Sequence, residues 1–187
     1  EKISAVLSKP ERGKQLNSRI DQKLTRLNKS ALINERIAFL LSMDPSKLRL
    51  AGKATNGGAM IKLLGATNVA EFENYQNVSA ESLLALKPSV IVVVGASKDS
   101  AVKDLLSAQS ILKFTPAGRE HNIVSIDGGS LVAGLSVAAI DEALVIVDSF
   151  VGNKNSDNKG SDNKVSDYKN NDYKNSANSA YLQSKAN

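Results

Sequence analysis

The sequence predicts a three-layer α/β/α sandwich built on a mostly parallel sheet of four to five strands and preceded by a long helix. Three observations carry that expectation. Val90-Ile91-Val92-Val93-Val94 is an unbroken, β-branched apolar run, the pattern of a strand covered on both faces. Apolar segments near 36–41, 68–72, 89–95 and 123–126 alternate with helical ones, as right-handed crossovers onto a single sheet require. Leu16, Ile20, Leu24 and Leu27 recur at helical spacing behind Pro10-Glu11, giving one amphipathic helix over about residues 11–30. The chain divides into that helix (1–34), an α/β lobe (35–151) and a repetitive tail (152–187).

Composition bounds the function. The 187 residues suffice for one domain and an extension. No stretch approaches the ~18–20 apolar residues of a membrane-spanning helix, so direct membrane insertion is not expected. The chain opens at Glu1 without an initiator Met or a signal-peptide pattern, which reads as a processed or missing amino terminus. With no cysteine there is no disulfide, thiolate metal site or cysteine nucleophile. Net charge is +5, of which the stretch 151–187 holds +2. The remainder is too small, and the aromatics too few, to suggest nucleic acid.

In chain order, Arg36 to Leu41 is the first strand of the lobe, and Ser42 to Thr55 reads as a loop. Asn56-Gly57-Gly58 opens a helix that Gly65 closes. Its free amides, with Lys53 just before them, suit a carboxylate or phosphate; equally, a helix simply begins there. A short strand follows near 69–72. Tyr75, in the next loop, is the only tyrosine in the first 150 residues; its phenolate could ligate ferric haem, or the ring could simply pack.

Ser79 caps a short helix carrying Glu81 in its first turn and ended by Lys87-Pro88 before the central strand. The start of that helix is expected at the edge opposite the strands' carboxyl ends, or on the flank beside it. Gly95-Ala96-Ser97 leaves the central strand at its carboxyl end, where open α/β sheets place ligands. Ala101 to Ala108 reads as a helix, 111–114 as an apolar turn, 123–126 as a strand and Ser130 to Val151 as mostly helical. His121, the only histidine, precedes its strand and so belongs to the amino-terminal edge as a surface or structural residue. Beyond Gly152 a five-residue repeat places Lys at 154, 159, 164, 169 and 174 and Asp at 157, 162, 167 and 172. With almost nothing apolar to bury, this tail is expected to be disordered.

Several motifs resemble the periplasmic binding proteins for haem, cobalamin and siderophores. S-x-E-x-L-x-x-L-x-P-x-x-I-V-V, over 79–93, looks like a segment found in each lobe of that family. Lys2-Ile3-Ser4-Ala5-Val6 with Pro10-Glu11-Arg12-Gly13 resembles the start of its interlobe helix. Ala51-Gly52, Thr55, Ala59-Met60-Ile61, Leu64-Gly65-Ala66 and Asn68-Val69-Ala70 resemble the haem-binding branch, as does Thr115 to Arg119. Together they cover about residues 1–150 and match only the interlobe helix and carboxy-terminal lobe.

The resemblance implies a periplasmic haem carrier of an ABC importer, without chemistry of its own. It implies that Glu81 docks on the permease and that Met43, Gly52, Lys53 and Thr55 line the ligand edge, with the partner amino-terminal lobe absent from this chain. Two departures stand out. Met43 occupies the place of a histidine that ligates haem in some members, a weak substitute as a metal ligand. Gly134-Leu135-Ser136-Val137-Ala138 lacks the arginine that pairs with a haem propionate, leaving Ser136 at that point and Arg49 or Lys53 as possible partners. A folded remnant that binds nothing and an unrelated small α/β enzyme are the rival readings. Against the enzyme stand the absence of a nucleophile–His–acid set, a P-loop and a G-x-G-x-x-G motif.

Overall fold

The computed structural model describes residues 10–132 and 134–157. Six strands form one mixed sheet: β1 (Arg36–Ser42), β2 (Leu48–Leu50), β3 (Thr67–Asn68), β4 (Gln76–Val78), β5 (Val90–Gly95) and β6 (Ile123–Ser125). The order is β4-β2-β1-β5-β6, with β3 also on β1. The pairings of β1 with β3 and β5, and of β5 with β6, are parallel. β2 and β4 add antiparallel pairings at one side. The expected α/β sandwich is therefore present, with two more strands than the apolar runs disclosed and with β3 at Thr67–Asn68 rather than over 69–72. Both extra strands lie inside stretches read as loops, and each is only three residues long.

The helices are α1 (Pro10–Leu27), α2 (Asn56–Leu63), α3 (Ala80–Ala85), α4 (Ala101–Ala108), α5 (Pro116–Arg119) and α6 (Val137–Asp157). The central strand shows why its sequence is apolar throughout. Val90, Val92 and Val94 enter one core with Leu27, Phe39, Met60, Ile61, Ala143 and Phe150, drawn from α1, β1, α2 and α6. Ile91 and Val93 enter a second core with Leu40, Leu83, Leu105 and Leu112, under α3 and α4. Period-two alternation thus feeds two opposite layers. On α1, Leu27 is buried but Leu16 is exposed, so the helix is held at its carboxyl end. Lys23 pairs there with Asp141 and Arg26 with Asp148, both on α6.

Two placements correct the expectations. The tail expected from 152 instead starts within α6, which continues to Asp157. Side-chain anchors account for the added turn: Asn153 Nδ2 donates to His121 O at 2.8 Å, and Lys154 Nζ lies 3.3 Å from Glu35 Oε1 and 4.4 Å from the centre of the Phe150 ring. The rest of the repeat lies outside the described residues.

The second correction concerns the start of α3. β4 runs antiparallel to β2, which runs antiparallel to β1, so β4 points the same way as β1. Val78 pairs with Leu48, one residue beyond the Arg49–Leu41 pair, and so stands level with the end of β1. The first turn of α3 therefore lies on the flank at the carboxyl edge rather than opposite it.

Candidate functional site

At the carboxyl edge the ends of β1, β5 and β6 enclose a hollow of about 410 Å³. Its floor is Phe39, Leu41 and Val94, and its walls include Met43, Tyr75, Asn56 and the turn Asp127 to Val132. Gly128 lies so close over β5 that a Cβ would stand 2.5 Å from Val94 Cγ1, so only glycine lets this turn form the wall. Asn56 Nδ2 donates to Leu131 O at 2.8 Å and clips the start of α2 to that turn. The hollow is apolar for a solvent-facing surface: Met43 is 59% exposed and Val132 83%. Asp127 is the only charged residue lining it, and its Oδ1 accepts from Gly129 N at 2.9 Å. Behind the hollow, Lys98 Nζ pairs with Glu142 of α6 at 2.9 Å, and Lys98 O accepts from Ser125 Oγ at 2.7 Å, fixing the segment after β5.

The expected ligand-edge residues separate into different environments. Met43 lines this hollow. Lys53 and Thr55 line another, of about 1010 Å³, beside α2 with Lys62, Thr67 and Glu71; Asn56 borders both. Thr55 also caps α2, its Oγ1 accepting from Gly58 N at 3.0 Å and donating to Gly52 O at 2.7 Å. Gly52 is buried, and a Cβ there would stand 2.4 Å from Phe72 O. Ser136 Oγ accepts from Ala139 N at 3.2 Å and donates to Ser130 O at 3.1 Å, capping α6. Arg49, exposed on β2, places its guanidinium carbon 5.4 Å from the centre of the Tyr75 ring. His121 sits at the amino-terminal edge, exposed, with φ 56°.

Tyr75, Asn56 and Asp127 are the polar residues of the hollow that a position-by-position reading did not gather. Of these, only Tyr75 carried a sequence signal, as the sole tyrosine of the lobe. Among the described residues no group of three or more His, Asp or Glu side chains is placed to hold a metal ion, and no helix is long and apolar enough to cross a membrane.

Glu81 is fully exposed at the start of α3. Its own backbone amide and the Ser79 hydroxyl hold its carboxyl below the ordinary glutamate range. Ser79 Oγ also accepts from Ser82 N at 3.1 Å.

A family model described as Periplasmic binding protein matches residues 1–128. Among solved structures, the chain is similar to the periplasmic haem-binding protein HutB of Vibrio cholerae, 30% identical with a TM-score of 0.65, over 79% of this chain and 59% of that one. It is also similar to a periplasmic haem-binding protein of Pseudomonas aeruginosa, 25% identical with a TM-score of 0.66, over 80% and 56% of the two chains. The periplasmic vitamin B12-binding protein BtuF of V. cholerae, at 18% identity, TM-score 0.57 and coverage of 78% and 55%, shares the fold alone. The chain thus spans less than two thirds of these structures. A curated relative, the DNA replication and repair protein RecF of Lachnoclostridium phytofermentans, is 33% identical over 103 residues, 54% of this chain but 27% of that protein. So small a share carries no argument about function.

Proposed function

The chain belongs to the periplasmic binding protein family, and on that premise we propose that it forms the carboxy-terminal lobe of a haem carrier that closes on haem and delivers it to an ABC-transporter permease. It is a binding protein rather than an enzyme. The observation that carries the haem reading is the hollow at the carboxyl edge: apolar walls, an aromatic ring, a thioether and a single acidic group suit the face of a large planar tetrapyrrole. The likeness to two haem-binding proteins supports the same ligand. In this reading Met43 contacts the macrocycle, Arg49 offers a cation to a propionate, and Lys53, Thr55, Gly52 and Ser136 shape the surrounding loops. Glu81 meets basic residues of the permease, and the site of action is the periplasm.

The test is an absorbance titration of the full chain with haemin, with cobalamin and a ferric hydroxamate as competitors. A Soret shift that neither competitor reverses is expected. Displacement by cobalamin or the hydroxamate reassigns the ligand, and no spectral change with any of the three supports a folded lobe that binds nothing.

A further inference from the structure

The amino-terminal edge carries an exposed aromatic ring among cations. Phe114 ends the turn Ser110–Phe114, is 62% exposed and belongs to neither core. Its neighbours fix it there. Leu112 and Thr115 are fully buried, and Thr115 Oγ1 donates to Leu112 O at 2.7 Å and accepts from Gly118 N at 3.0 Å. A Cβ at Gly118 would stand 2.3 Å from Leu112 O, so α5 presses directly on this turn. Ala117 N donates to Pro88 O at 2.9 Å, which sets the turn and α5 beside the residues leading into β5. From the start of β1, Arg36 Nη2 donates to Leu86 O at 3.0 Å. These contacts bring Arg36, Lys87, Lys113 and Arg119 to the edge that carries Phe114. All four are exposed, and none is in an ion pair among the described residues. Glu35 nearby is matched by Lys154 at 3.3 Å, and Glu120, which accepts from Asn122 Nδ2 at 3.2 Å, stands against the four cations. Beyond Asp157 the chain continues from this side with Lys159, Lys164, Lys169, Lys174 and Lys185 against Asp162, Asp167 and Asp172.

We propose that this edge is a peripheral docking surface for an anionic lipid bilayer, with Phe114 entering the headgroup layer and Arg36, Lys87, Lys113 and Arg119 meeting lipid phosphates. A ring that stands out from the surface needs a partner that yields around it, as a headgroup layer does. Cations about an apolar anchor add electrostatic attraction to the burial of apolar area at such a surface. The contact is peripheral, since no helix among the described residues is long and apolar enough to cross a membrane. Because the hollow lies at the opposite edge, attachment turns its mouth away from the lipid. The inference holds whichever ligand the hollow takes.

The experiment is co-sedimentation of the full chain with vesicles of phosphatidylcholine, alone or mixed equally with phosphatidylglycerol, at low and high salt. Thermal melts check that each variant folds. Binding to the mixed vesicles at low salt is expected, weaker by about tenfold or more at high salt or without phosphatidylglycerol. Lys113→Gln with Arg119→Gln should weaken it by about tenfold or more. Lys47→Gln with Lys103→Gln removes the same charge elsewhere on the surface and should change it by less than about threefold. Phe114→Ser should weaken binding by about fivefold or more. Phe114→Trp, in a chain without another tryptophan, should bind and show blue-shifted emission on the mixed vesicles. Absence of wild-type binding, equal losses in the two charge-removed pairs, or unshifted tryptophan emission overturns the proposal. Equally tight binding to soluble poly-glutamate, insensitive to Phe114→Ser, assigns the edge to an acidic polypeptide and overturns it as well.

Discussion

The two edges of the sheet are finished in opposite ways. At the amino-terminal edge polar groups are tied off. Arg36 N donates to Ser89 Oγ at 2.9 Å, Arg36 Nη2 to Leu86 O at 3.0 Å, Asn122 N to Ala117 O at 2.7 Å and Asn153 Nδ2 to His121 O at 2.8 Å. At the carboxyl edge Met43 and Val132 face solvent, and the Tyr75 hydroxyl is unpartnered among the described residues. Stability is invested at the amino-terminal edge, whereas the carboxyl edge keeps exposed apolar area, which costs free energy until it is covered.

That contrast can be broken by mutation. The largest effect is expected from Gly52→Ala, because backbone rather than a movable side chain occupies the space of the new methyl group. A loss of about 3 kcal/mol in urea unfolding is expected. A fully stable variant would mean that the loops behind the hollow are slack. Next comes Asn122→Ala at the amino-terminal edge, where the buried side chain contacts Glu120 and Asn153. It should cost about 2 kcal/mol by the same assay and leave haemin binding unaltered.

A smaller stability effect is expected at the carboxyl edge. Met43→Ser with Val132→Ser should stay within about 0.5 kcal/mol of wild type, since both side chains are solvent-facing. The same pair should lose about tenfold in haemin affinity by titration. Equal damage to stability and binding would erase the distinction between the edges.

Glu81→Gln is expected to do least to the isolated protein, with haemin binding unchanged and the melting temperature at neutral pH lowered only slightly. Permease association, read by its rate at low and high salt, should fall most at low salt. The carboxyl is held below its ordinary value of 4.5, so whatever it adds to stability is present above that pH and lost as pH falls through the depressed folded value. The Gln variant should therefore melt with a flatter pH dependence in that acidic window. An unchanged profile would sink the electrostatic account of this residue.

How much of this was legible in the sequence follows from how local each feature is. The buried β5 strand, the α2 start capped by Thr55 and the α3 start capped by Ser79 rest on residues within a turn of each other, and the sequence displays them directly. β2 and β4 were missed because three-residue strands carry too little alternation to distinguish from loop; Leu48-Arg49-Leu50 alternates once, and Gln76-Asn77-Val78 hardly at all. The orientation of α3 was missed for the same reason, since it depends on those two reversals. Tyr75 and Asp127 come together only through the tertiary fold, so spacing could not pair them. Gly52 and Thr55 matched a motif, and both are held by the surrounding backbone.

Helix α6 has one consequence for handling this protein. Its cap, Ser136, is tied to the turn that walls the hollow, and the helix reaches the amino-terminal edge at Asn153. Its 21 residues measure about 30 Å at 1.5 Å per residue. Whatever is joined beyond Asp157, be it a fluorophore, a resin or a second protein, starts out on the side remote from the hollow. A label should therefore be tethered there, leaving the hollow free to face solution unshaded.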